Sequence, residues 1–378
     1  MSDGRTHVVV VGAGIVGAAV AEALALDGHR VTVIDCGPMA GGATAAGMGH
    51  IVVMDDSEAQ IALTSYSQRL WDERAASLPS AGERMVCGTV WIAADDEEMA
   101  EVHRKLEFYG SRGIQADVLN GRELLEAEPM LRKGMAGGLL VPGDSVIYPP
   151  PIVAAMLETV RNERGSIHLG QRVAAMTGHE VRLDDGSVLE CDYAINATGA
   201  AAAELLPGVD VRPRKGHLVI TDRYPGFVRH QLIELGYLKS AHSSSGSSVA
   251  FNVQPRPTGQ LLIGSSRQFD DTSPEVDYEV LGRMLDRAMV YMPTIADLSA
   301  LRVWTGFRAA TPDKLPLIGP HPEDSNLLLA SGHEGLGITT SLATAALLAD
   351  YVSGRNSAIA LEPYLPERLL HAESVHAS

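Results

Sequence analysis

The stretch from residue 7 to residue 35 constrains the fold more than any other. His7 to Val11 is short and β-branched, the pattern of a strand buried on both faces of a parallel sheet. It leads directly into Gly12-Ala13-Gly14-Ile15-Val16-Gly17, a complete G-x-G-x-x-G. An Ala-rich run from about Val16 to Leu26, closed by Asp27-Gly28, predicts a helix. Arg30 to Ile34 predicts a second strand with Asp35 at its end. Gly14 and Asp35 are separated by about the 20 residues that a dinucleotide-binding βαβ unit requires.

Each position has a physical task. Gly12 permits a tight turn, Gly14 lets the backbone approach a pyrophosphate, and Gly17 lets helix and strand pack closely. The first helical amides, at Ile15 and Val16, face the phosphates with the positive end of the helix dipole. Asp35 accepts hydrogen bonds from ribose hydroxyls, and Cys36 after it is a further candidate cofactor contact. A glycine-rich turn in another α/β protein would share the six motif residues. The strand, helix, second strand and terminal acid in register favour the dinucleotide.

Composition narrows the partners. At 378 residues the chain is long enough for two packed domains, and with aromatics at 5% their cores must be built from Ala, Val, Leu and Ile. There are 47 acidic and 30 basic residues, a formal net charge of −17, which disfavours nucleic acid and anionic lipid. Cys36, Cys87 and Cys191 are widely spaced with no C-x-x-C, which argues against an iron–sulfur cluster, a structural zinc or a disulfide framework. No metal is assigned. Val8 to Val11 is too short for a signal peptide, and Thr, Ser and Asp350 interrupt Ile338 to Val352, short of the roughly 18 apolar residues of a membrane span. A cytoplasmic location is expected, with peripheral attachment to the inner membrane left open.

After Asp35, Gly41-Gly42-Ala43-Thr44-Ala45-Ala46-Gly47-Met48-Gly49 reads as a long loop of small residues, where an NAD-binding half usually starts another helix. Such a loop suits close approach to a flat, extended ligand, although an ordinary flexible loop has the same composition. On these residues the opening resembles the D-amino acid oxidase and glycine oxidase superfamily of FAD enzymes. Gly47-Met48-Gly49-His50 with Met54-Asp55-Asp56 is most similar to the D-hydroxyproline dehydrogenase and hydrogen cyanide synthase branch. The resemblance implies FAD, with Thr44, Ala45, Gly47, Met48 and Gly49 along the flavin ring.

It also implies a discontinuous FAD-binding domain from 1–81, 151–207 and 301–378, and a substrate-binding domain from 82–150 and 208–300. The expected fold class is α/β: a Rossmann-like FAD domain of glutathione reductase type, with a second, mostly antiparallel β-sheet domain that covers the flavin and holds substrate. Asp144 to Pro151 reads as a turn-rich crossing, followed by a helix from about Ile152 to Glu163 and a strand over Ser166 to Leu169. By resemblance, Val173 holds the adenine through its backbone. Glu180 to Leu183 and Val188 to Cys191 predict a hairpin, and Tyr193 to Asn196 a buried strand. The Ala197-Thr198-Gly199 turn after it matches the family's second FAD-contacting loop. In the second domain Met85 to Ala93 reads as a strand, and Ser248 to Val253 pairs with Gln260 to Gly264. Ser243 to Ser248 reads as a hairpin tip or mobile loop, and His371 to Ser378 as a frayed tail.

Near the other end, a strand over Asn326 to Ala330 runs into Ser331-Gly332-His333-Glu334-Gly335-Leu336-Gly337-Ile338-Thr339 and an Ala/Leu-rich helix. Strand, glycine turn and helix repeat the logic of the opening, and the amides near Gly337 and Ile338 suit a negative charge. The block is highly similar to the same family. The resemblance implies that Gly332, His333, Gly335, Leu336, Gly337, Ile338 and Thr339 contact the FAD, the negative charge being that of the reduced ring. In the family's W-x-G-x-R-x-x-T pattern the arginine clamps the substrate carboxylate, which implies that role for Arg308, since a guanidinium fork matches a carboxylate bidentately. A structural arginine bridging the two domains is the rival reading. His50 and His333 join Arg308 as candidate catalytic residues: His50 is either a direct participant or a hydrogen-bonded scaffold residue, and His333 lies beside the flavin turn. His217 opens a strand, Arg256 reads as a surface hairpin residue and Cys36 as buried filler.

The implied reaction is oxidation of the C–N bond of a D-amino or imino acid, D-hydroxyproline or D-proline-like by branch, to an imine by hydride transfer to flavin N5. Positioning carries most of such a reaction, and no side-chain base is assigned. No cysteine near Arg308 or His333 would form the covalent link of the sarcosine oxidase branch, so FAD is expected to be noncovalent. Two enzymatic alternatives stay open: a catalytic subunit of a complex such as hydrogen cyanide synthase or opine oxidase, and an oxygen-using amino acid oxidase. A non-catalytic flavoprotein partner fits Arg308 less well. The implied partners are a small amino or imino acid and an electron acceptor, either a quinone or a partner subunit, with a hetero-oligomer left open.

Overall fold

The structure is a computed structural model and describes residues 5–236, 247–269 and 271–370. The chain divides into two compact units: Met1–Gly82, Tyr148–Pro213 and Phe307–Ser378 form one, Glu83–Ile147 and Arg214–Gly306 the other. Residues 82, 148–150, 208–213 and 301–306 therefore lie in the opposite unit from the one expected. Arg212–Thr221 and Ala300–Ala310 are each one continuous strand, and the divisions run inside them, where no sequence break marks a boundary.

The first unit comprises β1 (His7–Val11), α1 (Ile15–Leu26), β2 (Arg30–Asp35), α2 (Glu58–Glu73), α3 (Pro149–Asn162), β3 (Ser166–Leu169), β4 (Tyr193–Asn196), β5 (Leu317–His321), β6 (Asp324–Ser331) and α4 (Gly337–Val352). Its six-stranded sheet has the order β5-β6-β4-β1-β2-β3. All neighbours are parallel except β5 and β6. The strand order reverses at β1, where Val8 pairs with Tyr193 on one side and Val31 on the other. The carboxyl ends of β1 and β4 thus flank the crevice in which such sheets bind ligands. Val8, Val9, Val10 and Val33 are fully buried, as expected of strands covered on both faces.

Helix α1 presents Ala18, Ala19, Val20, Ala21 and Leu24 to the core and packs against α3 and α4. Its one buried charge, Glu22, is met bidentately by Arg74 at 2.6 and 3.1 Å. Helix α3 starts at Pro149, not Ile152, because prolines are tolerated in a first turn whose N–H groups have no helical partner. Nor is 41–49 wholly loop: Ala43–Ala46 form a single helical turn between Gly42 and Gly47.

The second unit is built on an eight-stranded sheet. Its order is Ala300–Ala310, Arg212–Thr221, Leu261–Arg267, Ser248–Pro255, Gln231–Glu234, Thr89–Ala93, Gly137–Val141 and Asp117–Asn120. Pairing is mostly antiparallel, with Gln231–Glu234 parallel to Thr89–Ala93. The strand expected over 85–93 is interrupted, because Gly88 takes φ 71° and turns its N–H to the Asp144 carbonyl at 2.9 Å. Arg256 is not a surface residue: its side chain is 11% exposed and pairs with Glu83. His217 is fully buried, with Nδ1 2.8 Å from Ser266 Oγ and Nε2 accepting from the Asp277 N–H at 3.0 Å. Of the loop expected over 243–248, residues 243–246 lie outside the described residues, as does the tail at 371–378, whereas Ser248 already opens the strand Ser248–Pro255. Among those described, no helix is long and apolar enough to cross a membrane.

Helix Tyr278–Tyr291 covers this sheet with Val280, Leu281, Met284 and Ala288, and the Tyr291 ring stacks on Phe251 at 4.7 Å. Beneath it the buried Glu234 carboxylate accepts from the Phe251 N–H at 2.7 Å, the Tyr291 hydroxyl at 2.8 Å and Arg287 Nε at 3.0 Å. Glu234→Leu strands these donors and is expected to destabilise the protein by about 2–4 kcal/mol. The measurement is the urea midpoint of unfolding, and an unchanged midpoint contradicts this account of the helix–sheet contact.

Candidate active site

The turn after β1 is shaped by contact with β4. Gly12 has φ 118°, and a Cβ there would stand 2.4 Å from the Ala197 carbonyl oxygen. A Cβ on Gly17 would lie 2.0 Å from the Gly12 oxygen, so the main chain itself forbids side chains at both positions. Gly14 differs. A Cβ there would meet only Thr44 Oγ1, at 3.2 Å, so its bareness serves no main-chain contact and leaves the head of α1 open to a ligand.

Thr44 Oγ1 accepts from the Ile15 N–H at 3.0 Å, which ties the helical turn at 43–46 to the head of α1. Asp35 accepts from the Ala13 N–H through Oδ2 and from the Gly37 N–H through Oδ1, both at 2.7 Å. The carboxylate therefore fastens the glycine turn to the end of β2 and keeps lone pairs for further donors. Cys36 is exposed rather than buried, since it lies just past the end of β2.

Other segments of the first unit converge here. Asn196 is fully buried; its Oδ1 accepts from Thr198 Oγ1 at 2.7 Å and its Nδ2 donates to the Ala202 carbonyl at 3.1 Å, shaping the Ala197-Thr198-Gly199 turn. Ser331 Oγ at the end of β6 donates to the Gly199 carbonyl at 2.8 Å. Gly337 at the head of α4 is bare where a Cβ would stand 3.8 Å from Val16 Cγ2, and a Cβ on Gly47 would stand 3.3 Å from Ile338 Cδ1. The heads of α1 and α4 and the end of the 43–47 turn are thus adjacent, a favourable setting for negative charge. Met48 is buried beside them in sequence and Gly49 takes φ 91°. Val173 is buried in a small separate sheet, pairing with Leu183, and the Gln171 N–H bonds the Asp35 carbonyl at 3.0 Å.

Sequence reasoning missed Trp71. Its Nε1 donates to the carbonyls of Ile338 and Thr339 at 3.3 and 3.2 Å, bracing the first turn of α4. The available signal was helical spacing, since Ile61, Thr64, Ser67 and Trp71 form the buried face of α2.

Arg308 lies on the strand Ala300–Ala310 beside the turn at 332–335. The Glu334 N–H bonds the Ala309 carbonyl at 2.8 Å, and a Cβ on Gly335 would stand 3.7 Å from Arg308 Nε and 3.8 Å from its Cδ. His50 Nε2 lies 3.1 Å from the Gly335 carbonyl, and the His50 carbonyl accepts from Thr339 Oγ1 at 2.9 Å. Burial lowers the His50 pKa and the Arg308 charge adds to this, against a smaller opposing effect of the Gly335 hydrogen bond. His333 is a scaffold residue. Its Nε2 lies 3.0 Å from Thr344 Oγ1 inside the first unit, and burial holds its pKa down to about 3. Burial also raises the thiols of Cys87 and Cys191 to about 12, so neither is a nucleophile near neutral pH. Among the described residues no group of three or more His, Cys, Asp or Glu is arranged to hold a metal ion.

Residues 7–351 match the profile of the family described as FAD dependent oxidoreductase, DAO. Glycine oxidase of Geobacillus kaustophilus (strain HTA426) is 27% identical over 380 aligned positions, covering 95% of this chain and 96% of its own. Hydrogen cyanide synthase subunit HcnC of Pseudomonas aeruginosa is 30% identical over 301 positions, covering 74% of this chain and 66% of its own. The crystal structure of the Geobacillus kaustophilus glycine oxidase superposes with a TM-score of 0.85 at 27% identity, over 96% of this chain and 98% of the other. L-proline dehydrogenase from P. horikoshii superposes with a TM-score of 0.87 over 96% and 97%, at 22% identity, a likeness of fold. The residues of the first unit fit FAD: Gly14 leaves the head of α1 bare, Asp35 retains acceptor capacity for a ribose, and the head of α4 lies against that of α1.

Two predictions follow from this geometry. Gly14→Val is expected to fold and to lose flavin, whereas Gly17→Val, driven into the Gly12 carbonyl, is expected not to fold; circular dichroism and the flavin released by acid precipitation distinguish them. A folded, fully yellow Gly14→Val protein contradicts the assignment. The second concerns acid. His333 has a folded-state pKa below its unfolded one, so its contribution is full above about pH 6.5 and is lost as pH falls from there toward 3. His333→Gln should therefore show a shallower loss of stability than wild type across that window, by up to about 1.4 kcal/mol per pH unit. Parallel urea midpoints for the two proteins contradict it.

Proposed function

The chain belongs to the DAO family of FAD dependent oxidoreductases, and on that premise we propose that it oxidises the C–N bond of a small amino or imino acid, D-hydroxyproline or a D-proline-like compound being the favoured substrate. The observation that carries this reading is Arg308, stitched beside the glycine turn that opens α4. A guanidinium there offers a planar fork to a carboxylate and fixes which substrate atoms face the heads of the helices. The name of one relative, glycine oxidase, supports an amino acid as the bound carboxylate.

FAD, when bound, supplies the two-electron acceptor for hydride from the substrate carbon. The chain's own residues do the rest. Gly14, Ile15 and Val16 expose the head of α1 to the pyrophosphate, Asp35 holds a ribose, and the head of α4 at Gly337 and Ile338 stabilises negative charge. Ala197-Thr198-Gly199 and the turn at 44–49 complete the cradle. Burial keeps the rings of His50 and His333 neutral near pH 7 and each commits Nε2 to an oxygen; we assign neither as a base. With no side-chain base assigned, the substrate amine is proposed to bind neutral, its proton having gone to water. The thiols of half-buried Cys87 and buried Cys191 are both raised to about 12, in line with FAD held noncovalently. A quinone or a partner subunit is the proposed electron acceptor. The likeness to HcnC favours, as a second reading, a catalytic subunit of a heteromeric complex.

Steady-state assays with an artificial dye as acceptor and a panel of D- and L-amino acids test the proposal. Arg308→Lys is expected to raise KM, and Arg308→Ala more so, by about 10- to 150-fold, the value of a charge-assisted pair to a carboxylate. Near-wild-type KM and kcat in both variants would place the carboxylate clamp elsewhere.

A further inference from the structure

We infer that His50 is a positioning residue for Arg308: by donating Nε2–H to the Gly335 carbonyl it fixes the turn against which the guanidinium stem lies. The inference rests on the reading of Arg308 as the carboxylate clamp and adds the residue that sets its aim. A backbone carbonyl only accepts, so Nε2 carries the proton and the neutral ring has its lone pair on Nδ1.

The turn needs such a tie. Glu334 adopts φ 54°, a left-handed conformation that side chains other than glycine disfavour. It is held from one side by its own N–H on the Ala309 carbonyl, at 2.8 Å, and from within by the Leu336 N–H on the His333 carbonyl, at 2.9 Å. His50 supplies a further tie, at 3.1 Å to the Gly335 carbonyl, and is itself anchored by Thr339 Oγ1 on its carbonyl at 2.9 Å. Gly335 sits between the two. Its carbonyl takes the imidazole proton, and its bare Cα faces Arg308, where a Cβ would stand in ordinary contact with Nε and Cδ at 3.7 and 3.8 Å. A shift of this carbonyl therefore moves the surface that the guanidinium stem rests on, and with it the fork that a substrate carboxylate must match in binding.

The test uses the flavin-loaded protein and benzoate as a carboxylate probe, titrated through the visible flavin spectrum. Gln reproduces the reach of the Nε2 donor and Asn does not. His50→Ala and His50→Asn are expected to weaken benzoate binding and raise substrate KM about tenfold, roughly one hydrogen bond, with kcat, flavin content and Tm nearly unchanged. His50→Gln is expected to restore both to within about twofold. In an Arg308→Ala background the same substitutions should add nothing, as coupled residues do. Benzoate binding lost in Arg308→Ala but kept in His50→Ala and His50→Asn overturns this inference alone, as does a His50 effect that persists in full without Arg308. Benzoate binding untouched by Arg308→Ala overturns the clamp and the inference together.

Discussion

Helix α1 approaches the strand it leaves so closely that only glycine fits at the two points of contact, and the first unit is arranged around that approach. With Gly12 under the Ala197 carbonyl and Gly17 against the Gly12 oxygen, the helix starts almost on top of the sheet, at the point where the strand order reverses. The same closeness accounts for the small residues of α1, which let α3 and α4 pack against it. It also brings the head of α4 to Val16, so two helix N-termini end up side by side. Asp35 then secures the turn from the β2 side, through the Ala13 amide.

The electrostatics follow from the same arrangement. The chain carries a formal net charge of −17, yet the cradle is lined by positive elements: two helix heads and one arginine. The histidines nearest to them, His50 and His333, are kept neutral by burial and serve as hydrogen-bond donors to fixed oxygens. Selectivity for the anionic groups of a dinucleotide and an amino acid is therefore local and geometric, set by where amides and a guanidinium point. The overall charge opposes diffuse attraction of polyanions.

Much of this was legible in the residues. The βαβ opening, the strand before Ala197, and the strand, turn and helix from 326 onward could be read because glycine spacing, β-branching and helical composition act locally there. What depended on distant partners could not be read. Gly88 breaks its strand because its amide turns to Asp144, and the parallel pairing of Gln231–Glu234 with Thr89–Ala93 joins segments far apart in sequence. Arg256 looked exposed between two prolines until Glu83 was brought beside it. Within the site, glycine positions and Arg308 were visible as residue types. The bracing by Trp71, the contact of His333 with Thr344 and the exposure of Cys36 required knowing which face each side chain presents.

The central claim is that the first unit is built for a dinucleotide, with Asp35 and the head of α1 recognising the half of FAD that FMN lacks. Titration of the flavin-free protein with FAD and with FMN, followed by flavin fluorescence, tests it most directly. FAD is predicted to bind at least about 100-fold more tightly, the value of one or two charge-assisted hydrogen bonds to the adenosine diphosphate half. Equal affinity for FMN would contradict the account, because nothing beyond the flavin ring would then be contributing to recognition.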